Sequence, residues 1–342
     1  MNTTKQLMCQ AILFCAGLSV FAQPQNLPNQ QVDAVRQRQM LEQAAQSMTV
    51  SNGLQDFYPG ESADMGPQSV VNRAARHQWV NASVDEQFYY TDNLFLNKKK
   101  KGVDVLVSTV QAALDAGPMN FLGLQLDPQL GYQHQWFSYN LASDKTIGAL
   151  NPDTLTTNQI NLNKLDFNVS TLYADAAWRW HEWQANTGFN YLRLLDSHSY
   201  QEFYHELTPT WAVRREFKFT DTLSLMAGYE GDYRFTDSGS FPGPGGKQYN
   251  DRTDHSLVVA GMWQLCAHAI LQPSYRFQYT HYLALRRDDY LNAFTLTLYL
   301  PINQSIALRV FTSYNVLRTD GAFASNYESF NLGGGLNLSV RF

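Results

Sequence analysis

From Trp79 onward the apolar and polar positions of the chain alternate with a period of two. The carboxy-terminal stretch shows it most plainly. Phe330, Leu332, Gly334, Leu336, Leu338, Val340 and Phe342 alternate with Ser329, Asn331, Gly333, Gly335, Asn337, Ser339 and Arg341. Successive side chains of a strand point to opposite faces, so this pattern predicts one lipid-like face and one polar face. Residues 222–236 repeat it, with Leu223, Leu225, Ala227, Tyr229, Tyr233 and Phe235 opposed to Ser224, Glu230, Asp232, Arg234 and Thr236. Residues 305–316 do so again, with Ile306, Leu308, Val310, Tyr314 and Val316 opposed to Ser305, Arg309, Ser313 and Asn315.

The same reading predicts about twelve strands, good to about two. They start near Trp79, Val103, Phe121, Leu165, Trp183, Phe203, Thr222, Thr253, Ala267, Tyr290, Gln304 and Ser329. The strand over residues 165–180 needs a bulge near Ala174 to keep its alternation. Short connections, such as His181-Glu182 and Thr220-Asp221, alternate with longer ones over residues 140–164, 237–252 and 317–328. Outer-membrane barrels have short periplasmic turns and longer outer loops. Lipid cannot hydrogen-bond a free strand edge, so a spanning sheet must close on itself. The aromatic residues sit where interfacial girdles belong. Tyr275, Phe277, Tyr279 and Tyr282 gather at one strand end, and Trp178, Trp180 and Trp183 at the other end of two strands. The predicted fold is all-β: an antiparallel, up-and-down transmembrane β-barrel over residues 79–342.

The residues ahead of the barrel follow other rules. Lys5 and the short apolar run beginning at Ala11, with small residues around Ala22, read as a secretory signal peptide over residues 1–22. Cys9 and Cys15 lie within it, and neither follows the small-residue pattern of a lipoprotein signal. Residues 23–78 read as a periplasmic extension. Val32, Val35, Met40, Leu41, Ala44 and Met48 are spaced as the weak apolar face of one helix. Residues 51–68 carry Gly, Pro and Asp as a linker does. Such an extension is solvated, plugs the lumen, or docks a partner.

Composition narrows the class further. Aromatic residues make up 13% and charged residues only 16%, the balance that alternating membrane strands produce. After the leader no apolar run reaches the ~18 residues of a spanning helix. The net charge of −5 argues against nucleic acid as a partner. Cys266 alone remains after the leader, so the framework holds no internal disulfide.

The leader, the hairpin pattern and the closing Gly335-Leu-Asn-Leu-Ser-Val-Arg-Phe342 together resemble the outer-membrane β-barrels of Gram-negative bacteria. The resemblance implies a location in the cell outer membrane, amid its lipid and lipopolysaccharide. It also implies that Gly335, Leu336, Leu338, Val340 and Phe342 form a closing strand read by the barrel assembly machinery. The first hairpin, with Thr91-Asp-Asn-Leu-Phe95 before a strand over residues 103–114, resembles putative β-barrel porin families. Those families have no well-defined catalytic residues to carry over.

Strand parity places Asp85, Asp104, Asp127, Asp166 and Asp175 inside on early strands. It places Arg276, Arg309 and Arg341 inside on late ones. Glu206, Arg214, Glu216, Lys218, Glu230, Asp232 and Arg234 fall between. Two arrangements follow. Opposed acidic and basic walls would set up a field across a water-filled lumen. Alternatively, the charges pair with one another and fill a narrow interior. Eight strands are packed by their own side chains and sixteen leave a channel, so about twelve leaves the choice open.

Other chemistry is sparse. Lys98 to Lys101 are a solvated run in the first outer loop or a contact for sugar-lipid phosphates. The Gly239–Gly246 loop lacks the Lys-Ser/Thr ending of a phosphate-binding loop. A barrel phospholipase needs a Ser and a His together on the lipid face. In the strands no His-x-Ser pair occurs, and His198-Ser199 falls in a loop. Asp254, His255, His281, Asp288 and Asp289 map to the outer rim and are the best catalytic grouping available. His134, His181, His205 and His268 are scattered, so no metal site, cofactor or catalytic set is expected. The sequence therefore points to a non-enzymatic, porin-like channel for small solutes. A barrel that docks a periplasmic partner through its N-terminal helix comes second, and a surface hydrolase third.

Overall fold

The computed structural model describes residue 28, residues 31–36 and 38, and residues 79–342 apart from 97, 99, 122–123, 143–144, 151–156, 239–246, 267, 304, 322–323 and 342. The leader, the linker, the Gly239–Gly246 loop and Phe342 lie outside the described residues. The rest forms twelve long antiparallel strands: β1 Val80–Thr91, β2 Val103–Asp115, β3 Leu124–Tyr139, β4 Phe167–Trp180, β5 Trp183–Asp196, β6 Glu202–Thr220, β7 Leu223–Asp237, β8 Arg252–Cys266, β9 Ala269–Tyr282, β10 Arg287–Pro301, β11 Ile306–Thr319 and β12 Tyr327–Arg341. Each strand pairs with its neighbours in sequence, and β12 pairs back onto β1. The sheet is a closed barrel, so no strand edge is left to lipid.

Closure is set by register. Asn81 lies opposite Arg341 and Thr91 opposite Asn331, with every intervening pair in step. Strand β4 runs without a register shift against β3 and β5, so the bulge expected near Ala174 is not there. Ala174 sits on the outward row and tolerates it because Tyr173 and Asp175 both alternate inward as the register demands. Register shifts fall instead between Leu194 and Leu195, Leu223 and Ser224, and Gln264 and Cys266. All three lie near strand ends, where a shift disturbs few ladder bonds.

The outer surface is an apolar belt between two aromatic girdles. Val84, Val110, Leu130, Leu172, Val259, Leu296, Leu336 and Leu338 are exposed along its middle. Trp79, Trp180, Trp183, Phe219 and Trp263 ring the end with the short turns, and Tyr90, Phe235, Tyr290, Tyr314 and Phe330 ring the other. Water would oppose so much exposed apolar surface, and hydrocarbon favours it. The chain is therefore a membrane-spanning barrel of the outer-membrane type. Tyr282 departs from the expected girdle: it is buried inside, under the guanidinium groups of Arg252 and Arg287.

Candidate functional site: the barrel interior

The interior divides into two kinds of surface. Towards the outer end, inward positions of β1 to β6 and β11 are apolar. Tyr89, Val103, Val105, Val107, Phe137, Val169, Leu192, Leu194, Tyr204 and Phe311 form one buried cluster there. Periodicity alone marks these side chains as one face of a strand, and nothing local marks that face as the inner one. Sequence reasoning missed this cluster for that reason.

The remaining wall is charged, and its charges are paired at short range. Arg234 on β7 is the hub. Its guanidinium meets Asp232 and Asp254 at 3.0 Å and Glu206 at 3.4 Å. Asp254 is shared with Arg252 at 3.3 Å and accepts a hydrogen bond from Gln278 Nε2 at 3.0 Å. One layer towards the short turns, Arg214 and Arg276 flank Glu230 at 2.7 and 4.0 Å. Arg276 also donates to Ser256 Oγ at 2.9 Å. Near the outer rim Arg287 pairs with Asp289. At the opposite rim the exposed Arg179 meets Asp127 at 3.3 Å. Asp175 faces inward on β4, and the side chain of Arg341 lies outside the described residues.

The opposed acidic and basic walls are therefore not what the fold builds. Arg309 lies beside Asp85 at 2.8 Å, because only β12 separates β11 from β1 in the closed ring. Arginine and carboxylate alternate around β6 to β11, so the charges compensate over a few ångströms rather than across the lumen. Buried charges without such partners would cost several kcal/mol each.

Two of the residues expected in the lumen belong elsewhere. Asp104 stands opposite Tyr90, which is exposed on the outer face, so Asp104 shares that parity. Its Oδ2 accepts the backbone N–H of Ala142 at 2.8 Å and anchors the 140–166 loop. Asp166 caps a short 3-10 turn, Leu162–Leu165, ahead of β4. Its Oδ1 accepts the Tyr139 N–H at 2.8 Å, and burial pushes its carboxyl up to about 6. Asp166 precedes the real start of β4, whereas Asp104 lies within β2 on the row that faces outward.

The rim grouping also separates. Asp254 and Asp289 are buried inside, whereas His281 and Asp288 pair on the outer side at 2.7 Å, and His255 contacts Tyr229 there at 2.6 Å. Side chains of opposite parity cannot converge on one substrate. In exchange the structure brings together a pair that the sequence kept 36 residues apart. His134 Nδ1 on β3 lies 2.8 Å from Ser170 Oγ on β4, on the outward face, with the Tyr132 hydroxyl 3.3 Å from each. Among the described residues the ring's other contact is the edge of Trp136, and no carboxylate orients it. No grouping of three or more metal-ligating side chains occurs among the described residues.

A short stretch ahead of the barrel completes the interior. Val32 and Val35 are 1% and 0% exposed and belong to the apolar cluster. Asp33 meets Arg234 at 3.1 Å. Gln31 accepts a hydrogen bond from the Tyr139 hydroxyl. The guanidinium of Arg38 sits 4.9 Å from the ring of Tyr89 and 4.5 Å from that of Phe311. The stretch thus touches β1, β3, β7 and β11, which lie on different sides of the ring.

No protein-family model matches the chain, and no curated protein matches it in sequence. Solved structures with some likeness include an outer membrane channel from Pseudomonas putida F1, with 12% identity and a TM-score of 0.48 over 80% of this chain and all of that one. The transport unit of the Escherichia coli autotransporter AIDA-I has 10% identity and a TM-score of 0.44, over 86% of this chain and 97% of that one. The NanC porin has 11% identity and a TM-score of 0.39, over 75% and 98%.

Proposed function

We propose that the barrel is a porin-like channel for passive passage of small solutes. One observation carries this reading: the interior is wide enough to admit a stretch of polypeptide between opposed walls. Gln31 contacts Tyr139 on β3 while, two residues on, Asp33 contacts Arg234 on β7. A barrel filled by its own wall residues, as at about eight strands, has no room for this. The arginine–carboxylate pairs are spread over the height of the wall, from Arg287 and Asp289 near the outer rim to Arg179 and Asp127 at the short-turn end. Their compensation favours neutral or zwitterionic solutes over strongly charged ones, because no level of the wall presents one sign alone.

Purified full-length protein in planar bilayers tests the reading, beside a variant with Val32→Asp and Val35→Asp, which loosens the inner stretch. Stepwise currents above the lipid baseline are expected. Their absence from both proteins removes the channel.

A second reading, ester hydrolysis at the outer surface, rests on the His134–Ser170 pair. It has no group to orient the imidazole among the described residues, so the channel is preferred. Release of fatty acid from phospholipid vesicles that disappears in Ser170→Ala would reverse that preference.

A further inference from the structure

The contacts of residues 31–38 make up three separate recognition elements, each suited to a different chemical group. The first is an aromatic clamp. Tyr89 and Phe311, themselves 6.1 Å apart, both face the Arg38 guanidinium. Aromatic faces attract a cation most strongly where water is excluded, and Arg38 is only 7% exposed. The second is apolar: Val32 and Val35 enter the cluster that includes Val105 and Val107. The third is the buried Arg234, which takes the Asp33 carboxylate. Arg36 adds an electrostatic contact with Asp175.

These elements are wall features, fixed by strand register, and the stretch that fills them is not part of the wall. Cation, apolar pair and carboxylate recur along eight residues of one chain segment. We propose that the lumen is a receptor for a basic, amphipathic stretch of polypeptide, and that residues 31–38 are its resident ligand, closing the passage by occupying it. The proposal rests on the channel reading for its closing role, though the docking itself does not depend on that reading. A self-supplied ligand binds at the effective concentration set by the chain that joins it to β1. Departure of the stretch costs the clamp, the apolar burial and one ion pair together. The closed state is then the resting one, and it opens when those three contacts are weakened at once.

Full-length protein with Cys9→Ser, Cys15→Ser, Cys266→Ser, Arg38→Cys and Phe311→Cys tests docking and closure separately. A short bifunctional methanethiosulfonate reagent, cleaved by reductant, bridges the two thiols. Mass spectrometry of the folded protein reads the bridge, and planar-bilayer current reads the passage. The bridge is expected to form, and reduction is expected to raise the current roughly tenfold or more, since the clamp is gone once the tether is cut. Failure of the bridge to form in folded protein, both here and in a Gln31→Cys/Tyr139→Cys pair that leaves the clamp intact, overturns the receptor, whatever the current does. A bridge with equal, non-zero current before and after reduction overturns closure and leaves the channel standing. A bridge with no current in either state overturns the channel and closure together.

The Val32→Asp/Val35→Asp variant changes no wall residue and needs no cross-link. Its current is expected to exceed that of the unchanged protein by a similar factor. A synthetic peptide of residues 28–40, added on the short-turn side, is expected to close it. A peptide with Asp33→Lys and Arg38→Glu is expected to leave it open; equal block by both peptides overturns the receptor.

Discussion

Arg309 on β11 reaches Asp85 on β1 at 2.8 Å, passing over Gly335 of the strand between them. Gly335 is opposite Arg309 on one side and Gln87 on the other. A Cβ there would stand 2.8 Å from Arg309 Nε and from the Glu86 carbonyl oxygen. The closing strand is therefore bare where the ion pair crosses it. The pair links the first strand to the last-but-one and is 2% and 3% exposed. Asp85 also accepts from Gln87 Nε2 at 2.8 Å.

Removing one partner leaves a buried charge. Asp85→Ala is expected to destabilise the barrel by about 3–5 kcal/mol. Asp85→Ala combined with Arg309→Met is expected to recover much of that loss, because both charges then leave together. Urea unfolding in lipid vesicles, followed by tryptophan fluorescence, measures both. A double variant as unstable as the single one would contradict the pairing.

Gly335→Leu places a branched side chain where the guanidinium lies. Overpacking of this kind costs about 1–3 kcal/mol. The heat-modifiable gel shift of the folded barrel is expected to move to lower temperature. Gly334→Ala is the contrast: its added carbon meets the Arg309 carbonyl oxygen at 3.1 Å on the outward row, and a smaller effect is expected.

The belt has a defined outside. Leu296 is exposed at mid-belt, opposite Pro273 on one side and Thr312 on the other. Leu296→Arg is expected to cost about 2–4 kcal/mol in a bilayer. In vesicles its folding yield should fall, whereas Thr222→Arg, in the short turn before β7, should fold normally. Equal yields would mean that the face is not in lipid.

Asp166 gives the loop over residues 140–166 a pH dependence with a definite sign. Its carboxyl is raised by burial from 3.8 to about 6, against the pull of the Tyr139 N–H. An acid raised on folding binds protons more tightly in the folded state. Its unfavourable contribution is absent below about pH 4 and fully present above about pH 6. Loop order should therefore weaken as pH rises through that window. Proteolysis within the loop is expected to be faster at pH 7.5 than at pH 5, and Asp166→Asn should flatten the difference.

The strands, their number and the lipid-facing rows were legible in the sequence because they depend on a local rule. Side chains alternate, turns interrupt the alternation, and hydrocarbon tolerates no free edge. All twelve strands begin within three residues of the positions that the alternation marks. The interior was another matter. Alternation assigns two faces to every strand but not the height at which a residue meets its neighbours. Arg309 and Asp85 are 224 residues apart and touch only because the sheet closes. Asp104 lies on the outward row of β2 and Asp166 ahead of β4, and both are held by loop contacts, to Ala142 and to Tyr139, that alternation does not show. His134 and Ser170 meet only through the register of β3 on β4. Val32, Asp33, Val35 and Arg38 show at most a weak amphipathic period on their own, and the wall that receives them is assembled from four distant strands. The sequence by itself determined that this chain closes into a membrane barrel, because period and solvent are local. Only the tertiary structure decided what fills it, because an interior is made of neighbours brought together by closure.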